Sequence, residues 1–537
     1  MALVLGIALA LRLFALNQFG LNTDEVVYSG QAASMIGDPA SVALFPIFRA
    51  HPLLFHGTLA VVFQLFGVGE WAARLTAIAF GLATLLVVYR LGTELYNERV
   101  GIVAAAFLAV MPYHLIVSRQ VLLDGPLTLF TSLTLLMLIR FSNTQHARWL
   151  YASGIGLGLS FLAKETGIIF IGAVVVFFAL RPKVLLRDCV FALACMGAVM
   201  AIHPIALALG GGVQSGQNYL VWQLLRGSNH PVTFYLTESL PSLGYALVAV
   251  ALLGLAWMWR QHSWRELLLT LWIGVPVVFF LIWPVKGFHY LLPIAPVVAL
   301  LAARWVVQAG PQQAWFKAVR AVALIAIVAS TAFSSWQVAQ STDATEVRAG
   351  RGGMPAGREA GNWIRANTQP NDQVLTIGPS LANAVRFYGQ RTVWALAVSP
   401  DPLKRNPAYT PIRDPDAMIK SDQISYLAWD MYSAARSPYY ARKVTTLLKR
   451  YNGQLVHQEA GWVRDEQGQL QSKTLMAIYE VHPHALSDSY AQPEAKRLPG
   501  EANLPGIWVP YGIALVIMLA LCVVGLMPNK FHRQPEG

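Results

Sequence analysis

The chain has 537 residues, of which 55% are hydrophobic and only 13% charged, and its mean hydropathy is +0.47; ordinary soluble domains carry roughly a quarter charged residues. That composition excludes a disordered chain and a small disulfide scaffold, and the three cysteines, Cys189, Cys195 and Cys522, lie in apolar runs without metal-ligand spacing. The net charge of +12 does not imply a nucleic-acid partner, because Lys and Arg stand mostly at the ends of apolar segments, where they orient a chain against anionic headgroups.

In chain order, the apolar runs long enough to approach or cross a bilayer are Leu3 to Leu16, Trp71 to Leu91, Val100 to Val117, Gly125 to Ile139, Trp149 to Ala163 and Gly167 to Leu180. They continue with Val190 to Leu209, Leu243 to Trp259, Glu266 to Trp283, Tyr290 to Val307, Val319 to Val338 and Ile507 to Met527. Basic groups cluster at Arg90 and Arg99, Arg140 and Arg148, Arg181, Lys183 and Arg187, Arg260 and Arg265, Lys317 and Arg320, and Lys530 and Arg533. Placing every cluster in the cytoplasm gives twelve crossings with both termini inside. This holds only if Pro52 to Phe66, interrupted by His56 and Gln64, lies along the outer interface instead of crossing. The first run has no basic leader or small-residue cleavage site and contains Arg12, so it is expected to stay as a helix.

Between Gln340 and Pro505 the apolar runs stop: 35 of these 166 residues are charged, against 33 of the other 371. Helical patterns at Ala356 to Asn367, Leu381 to Tyr388 and Tyr439 to Tyr451 alternate with extended ones at Gln373 to Gly378, Thr392 to Ala397, Ser425 to Trp429, Gln454 to Glu459 and Thr474 to Val481. The pattern predicts a small α/β domain with four or five strands and a Pro-rich loop from Ser399 to Pro415. The chain therefore divides into a membrane module over 1–339 with an outer loop over 17–70, an outward α/β domain over 340–505, and a last crossing with a cytoplasmic tail over 506–537.

Outside that domain only twelve acids remain. Glu94, Glu98, Asp188, Glu266 and Glu536 accompany inner basic groups; Asp24, Glu25, Asp38, Glu70, Asp124, Glu165 and Glu238 face outward. Asn22 with Glu25 three residues on has the form of a capping box, which leaves Asp24 without a structural role. A carboxylate at the edge of the hydrocarbon is costly enough to suggest function. Asp124, followed by Gly125-Pro126, reads equally as a helix start or as a functional acid. Outward cations complement these acids: Lys164, Arg226, His230, Lys286 and His289. Anchoring to headgroups is one account of them, and a bound phosphate is the other.

These elements resemble the GT-C class of membrane glycosyltransferases, specifically the bacterial branch of protein O-mannosyltransferases and lipid A aminoarabinose transferases. The resemblance is carried by Asp24-Glu25, by His51-Pro52-Leu53-Leu54, and by Glu70-Trp71-Ala72-Ala73-Arg74-Leu75. Glu98-Arg99-Val100-Gly101, Ser118-Arg119 with Asp124, Ala163-Lys164, and Tyr290-Leu291-Leu292-Pro293 with Pro296 extend it, all in family order over roughly 1–304. It implies a GT-C fold, a bacterial plasma-membrane location with the site outside, a polyprenyl-phosphate sugar as donor, and a protein, lipid or glycan as acceptor. By similarity Asp24 matches the catalytic carboxylate and Asp124 the acid of the second outer loop. Lys164 and Lys286 fall where relatives place cations near the carrier phosphate; His289 stands where relatives often carry Arg.

The chemistry these roles require is one base for the acceptor hydroxyl and positive charge for the leaving phosphate. Asp24 is expected to be the base, Glu25 and Asp124 orienting acids, and Lys164, Lys286, His289 and Arg226 phosphate ligands. Tyr28, His51, Arg74 and Arg119 are expected to position substrate. No metal is expected to be required, although two or three outward carboxylates have the chemistry to hold Mg²⁺ or Mn²⁺. The alternatives are a lipid or sugar transporter, disfavoured because the halves differ and the charges gather at one face, and a ligase or polymerase using a diphosphate-linked glycan. The outward domain either selects the acceptor or covers the site.

Overall fold

The structure, a computed structural model, describes residues 1–47, 51–180, 184–259, 263–308, 313–341, 354–465, 467–483 and 504–527. It is a multi-span membrane protein. Among these residues seven helices are long and apolar enough to cross a membrane: Glu70–Leu95, Asp124–Thr144, Leu186–Leu209, Trp264–Ile282, Phe288–Gln308, Lys317–Gln340 and Pro505–Leu526. Two bent pairs raise the number to nine. Glu98–Val110 and Pro112–Ser118 meet at 65°, where Pro112 lacks the N–H that would continue the ladder. Tyr235–Leu243 and Tyr245–Ala256 meet at 86°, across Gly244 with φ of +90°.

The remaining three runs read as crossings are also helical but shorter: Ala2–Leu13, Ala147–Ala163 and Glu165–Leu180. The interfacial segment is the helix Leu54–Phe66; its first half is buried, while Leu65 and Phe66 at its end are exposed, as expected of an end reaching into lipid. Of the cations expected at the inner face, Arg181, Lys183, Arg260, Lys530 and Arg533 lie outside the described residues, as do 342–353 and 484–503 on either side of the domain expected to face outward.

Lipid offers apolar side chains as good a solvent as another helix does, so bundle contacts depend on close packing and hydrogen bonds. Accordingly Glu70–Leu95 and Glu98–Val110 approach at Gly92 and Gly101, where a Cβ on Gly92 would stand 2.6 Å from the Gly101 Cα. At one end of the bundle Arg140 is 1% exposed. It pairs with Glu94 at 2.6 Å and donates to the carbonyls of Val524, Gly525 and Met527 at 2.8–3.0 Å. One guanidinium thus closes the last turn of the final helix against two others, satisfying carbonyls that a helix end leaves open.

The α/β domain lies at the other end. Its strands β1 (Gln373–Thr376), β2 (Val393–Ala395), β3 (Ile424–Asp430), β4 (Gln454–Arg464) and β5 (Leu470–Glu480) form one sheet in the order β2-β1-β3-β5-β4. β1 runs parallel to β2 and β3; β5 runs antiparallel to β3 and β4. Helices Gly357–Asn367 and Pro379–Gly389 cover one face with Ile364, Leu381 and Val385, and Pro438–Arg450 covers the other with Val444 and Leu447.

Candidate active site

The helix Thr23–Met35 begins with the capping box read from the sequence. The Asn22 side chain accepts from the backbone N–H of Asp24 and Glu25 at 2.9 and 3.0 Å, and the Asn22 N–H donates to Glu25 Oε2 at 2.9 Å. Glu25 is fully buried. Its carboxylate also takes Arg74 Nε at 3.2 Å and the Val121 N–H at 3.0 Å. Arg74 spends its other donors on the carbonyls of Leu16, Phe19 and Gly20. Glu25 and Arg74, expected as an orienting acid and a substrate-positioning base, are therefore committed to each other and to the loop backbone. Both charges are out of water and need partners to be tolerable. Arg119, also expected to position substrate, donates to the Phe14 carbonyl at 2.6 Å and thereby ties down the end of the first helix.

Asp24 differs. It is partly exposed, and its carboxylate makes no hydrogen bond or ion pair among the described residues. Tyr28, one helical turn on and so on the same face, is buried with its ring against His51 and His56 at 5.9 and 5.3 Å. Burial first, then the nearby charges of Asp24, Tyr219, Asp124 and Glu165, hold the Tyr28 hydroxyl well above the ordinary tyrosine range. Tyr28 thus stands where four other ionisable groups converge.

Asp124 opens the helix Asp124–Thr144 and is 1% exposed. Lys164, placed at the break between Ala147–Ala163 and Glu165–Leu180, donates to both Asp124 oxygens at 2.9 Å and lies over the Tyr290 ring at 4.5 Å. His289 Nε2 stands 3.6 Å from the other side of the same carboxylate. Of the four groups expected on a phosphate, Lys164 is thus held on Asp124 and His289 stands beside it. Lys286, expected on a phosphate, here has its ammonium donating to the carbonyls of Trp283 and Leu281 at 2.8 and 3.3 Å, at the end of Trp264–Ile282, where a cation also complements the helix dipole.

Arg226 is the expected phosphate ligand whose charge is least committed. It bonds Gln223 at 2.9 Å, stacks 4.6 Å over Trp222 and has no carboxylate partner among the described residues. Tyr290 lies within electrostatic reach of Lys164, Arg226, Asp124 and Asp24. Two contributors had no role assigned from sequence. Glu165 Oε2 accepts from His51 Nδ1 at 2.8 Å, and Tyr219 sits edge-on to His51 at 5.4 Å. The adjacency of Glu165 to Lys164 was the available signal for the first. Among the described residues no group of three or more His, Cys, Asp or Glu side chains converges as a metal site would.

Residues 50–207 match the family model of dolichyl-phosphate-mannose-protein mannosyltransferase. No curated protein matches the chain in sequence. Among solved structures, ArnT from Cupriavidus metallidurans in the apo state superposes with a TM-score of 0.67 at 15% identity, covering 89% of this chain and 97% of that one. The same protein bound to undecaprenyl phosphate gives 0.63 at 17% identity with the same coverage. The archaeal oligosaccharyltransferase AglB from Archaeoglobus fulgidus, in complex with an inhibitory peptide and a dolichol-phosphate, gives 0.54 at 12% identity over 88% of this chain and 73% of that one. The fold is that of the GT-C class of membrane glycosyltransferases.

Proposed function

We propose that this chain is a glycosyltransferase that moves a monosaccharide from a polyprenyl-phosphate carrier to an acceptor hydroxyl at the outer face of the bacterial plasma membrane, with inversion at the anomeric carbon. The observation that carries this reading is the contrast between three acids. Glu25 is locked to Arg74 and Asp124 to Lys164, whereas Asp24 presents an uncommitted carboxylate beside them. The similarity of the fold to a protein solved with undecaprenyl phosphate and to one solved with dolichol-phosphate supports a lipid-phosphate donor.

In this mechanism Asp24 takes the proton of the acceptor hydroxyl as its oxygen attacks the anomeric carbon. The bond from that carbon to the phosphate oxygen breaks, its electron pair leaves with the phosphate, and the proton passes from Asp24 to solvent. Arg226 faces the departing phosphate; positive charge aimed where negative charge develops lowers the barrier. Tyr28 and Tyr290 wall the sugar, and the Asp124–Lys164 pair fixes their surroundings. A phosphate leaves readily without a general acid, so one carboxylate suffices, and a single displacement inverts the centre, unlike the two-step route of retaining hydrolases.

The test is release of undecaprenyl phosphate from a panel of undecaprenyl-phosphate-linked pentoses and hexoses by the purified protein with an acceptor. Asp24→Asn should lower turnover by about 10² to 10⁴, the usual contribution of a general base, with unchanged thermal unfolding. Undiminished turnover in that variant sinks the mechanism. The reaction is written without a metal, so treatment with a chelator is expected to leave the rate unaltered.

A further inference from the structure

The outward domain is joined to the acid-bearing loop by more than its chain connections. Its helix Pro379–Gly389 has two apolar faces. Leu381, Ala382 and Val385 pack into the domain's own core, while Ala384, Phe387 and Tyr388 pack into the core of the membrane module. Phe387 meets Phe45 edge-on at 6.4 Å. The Tyr388 hydroxyl, 8% exposed at the residue level, accepts the Leu21 N–H at 2.8 Å and lies within electrostatic reach of Glu70. One strand of chain away, Arg358 donates to Glu70 at 3.3 Å and to the Asn17 carbonyl at 3.2 Å. Gly20 lies between these two side chains: a Cβ there would stand 2.7 Å from Arg358 Cβ and 3.3 Å from the Tyr388 hydroxyl.

Followed inward, these contacts form a continuous series. Glu70 stands 3.9 Å from Arg74, Arg74 grips Glu25, and Glu25 closes the cap that sets the first turn of the helix bearing Asp24. The segment 14–22 has no regular helix or strand of its own to hold it. Its carbonyls at Leu16, Phe19 and Gly20 are held by Arg74, and the Asn17 carbonyl and Leu21 N–H are held by the outward domain.

We infer that Arg358 and Tyr388 are positioning residues: the outward domain completes the geometry of the Asp24 loop, so that the catalytic module works only with this domain docked. This rests on the reading of Asp24 as the base. A displacement of about 1 Å at such a group costs on the order of a hundredfold in rate, so partial loosening should cost on the order of tenfold.

The experiment uses the full chain in lipid nanodiscs, with Tyr388→Phe, Arg358→Gln, Arg358→Lys and Gly20→Ala. Three quantities are read: kcat and KM with the undecaprenyl-phosphate sugars above, affinity for undecaprenyl phosphate alone, and hydrogen exchange across 17–25. Tyr388→Phe, Arg358→Gln and Gly20→Ala should lower kcat roughly tenfold, leave donor KM and carrier affinity within about twofold, and expose the Leu21 amide to exchange. Arg358→Lys, which keeps a charge on Glu70, should recover part of the rate. Wild-type kcat in Tyr388→Phe and Arg358→Gln overturns the inference, as does unchanged Leu21 protection in both. Asp24→Asn is run alongside: if it stays active, the base assignment fails, whereas an inactive Asp24→Asn beside a fully active Tyr388→Phe condemns the positioning role alone.

Discussion

The two ends of the bundle treat buried charge in opposite ways. At the end away from the α/β domain Arg140 meets one carboxylate and three backbone carbonyls, which uses its donors on groups within reach. At the end that carries the domain the same economy governs Glu25 with Arg74 and Asp124 with Lys164, yet Asp24 and Arg226 stand outside any carboxylate–cation pair among the described residues. Saturated charges hold helices together, whereas charges kept apart from opposite partners remain available to a substrate. The proposed mechanism takes its base and its phosphate ligand from the second group.

The widest gap between the two ends should appear on exchanging their effects. Asp24→Asn is expected to lose about 10² to 10⁴ in turnover while its thermal unfolding matches the parent. Arg140→Met should do the reverse: removing one partner of a buried pair costs about 3–5 kcal/mol. Unfolding in detergent should shift accordingly, with activity per folded molecule retained. A stable Arg140→Met protein would show that the inner cluster is decorative and dissolve the comparison.

A smaller effect is expected at Arg226. Arg226→Gln should weaken undecaprenyl phosphate binding roughly tenfold, about 1.4 kcal/mol, and steepen no part of the pH profile. Lys286→Met, by contrast, should alter stability and leave carrier affinity unchanged, because its ammonium is spent on the end of Trp264–Ile282. Equal losses of affinity in the two variants would restore Lys286 as a phosphate ligand.

The smallest effect concerns a third kind of buried acid, in the outward domain. Asp430, at the end of β3, is 1% exposed; one oxygen caps the helix Met431–Arg436 through the Ser433 N–H and the other has no hydrogen-bond partner among the described residues. Burial raises its carboxyl to about 6 from an ordinary 3.8, against the opposing bonds from Ser433. The folded state thus binds the proton more tightly than the unfolded state. Its contribution is fully present below about pH 4 and is lost as the pH rises through 6. Asp430→Asn keeps a good capping oxygen, so it should raise the stability of this domain by about 1–3 kcal/mol at pH 7 and flatten its dependence between pH 4 and 7. A variant that tracks the parent across that range would mean that water reaches the second oxygen.

Much of this was legible along the chain. Runs of apolar residues marked the long apolar helices, the fall in hydropathy marked the α/β domain, and extended patterns located its strands to within about five residues, whereas the helix Val213–Leu224 lay in a segment without such a run. Asn22 and Glu25 announced a cap because both partners of a capping box lie within one turn. The failures share one character. Lys164 and Asp124 are separated by 40 positions, His51 and Glu165 by 114, and Arg358 and Glu70 by 288. A cation such as Lys286 looks the same in sequence whether it closes a helix or binds a phosphate.

The sequence by itself determined that this is a polytopic membrane protein with a small α/β domain, because hydropathy and helix capping are decided within a few residues. Only the tertiary structure decided which of those charges neutralise one another and that Asp24 stands apart from such pairing. Ion pairing depends on distances of three or four ångströms between groups far apart in the chain, and the packing of helices sets those distances.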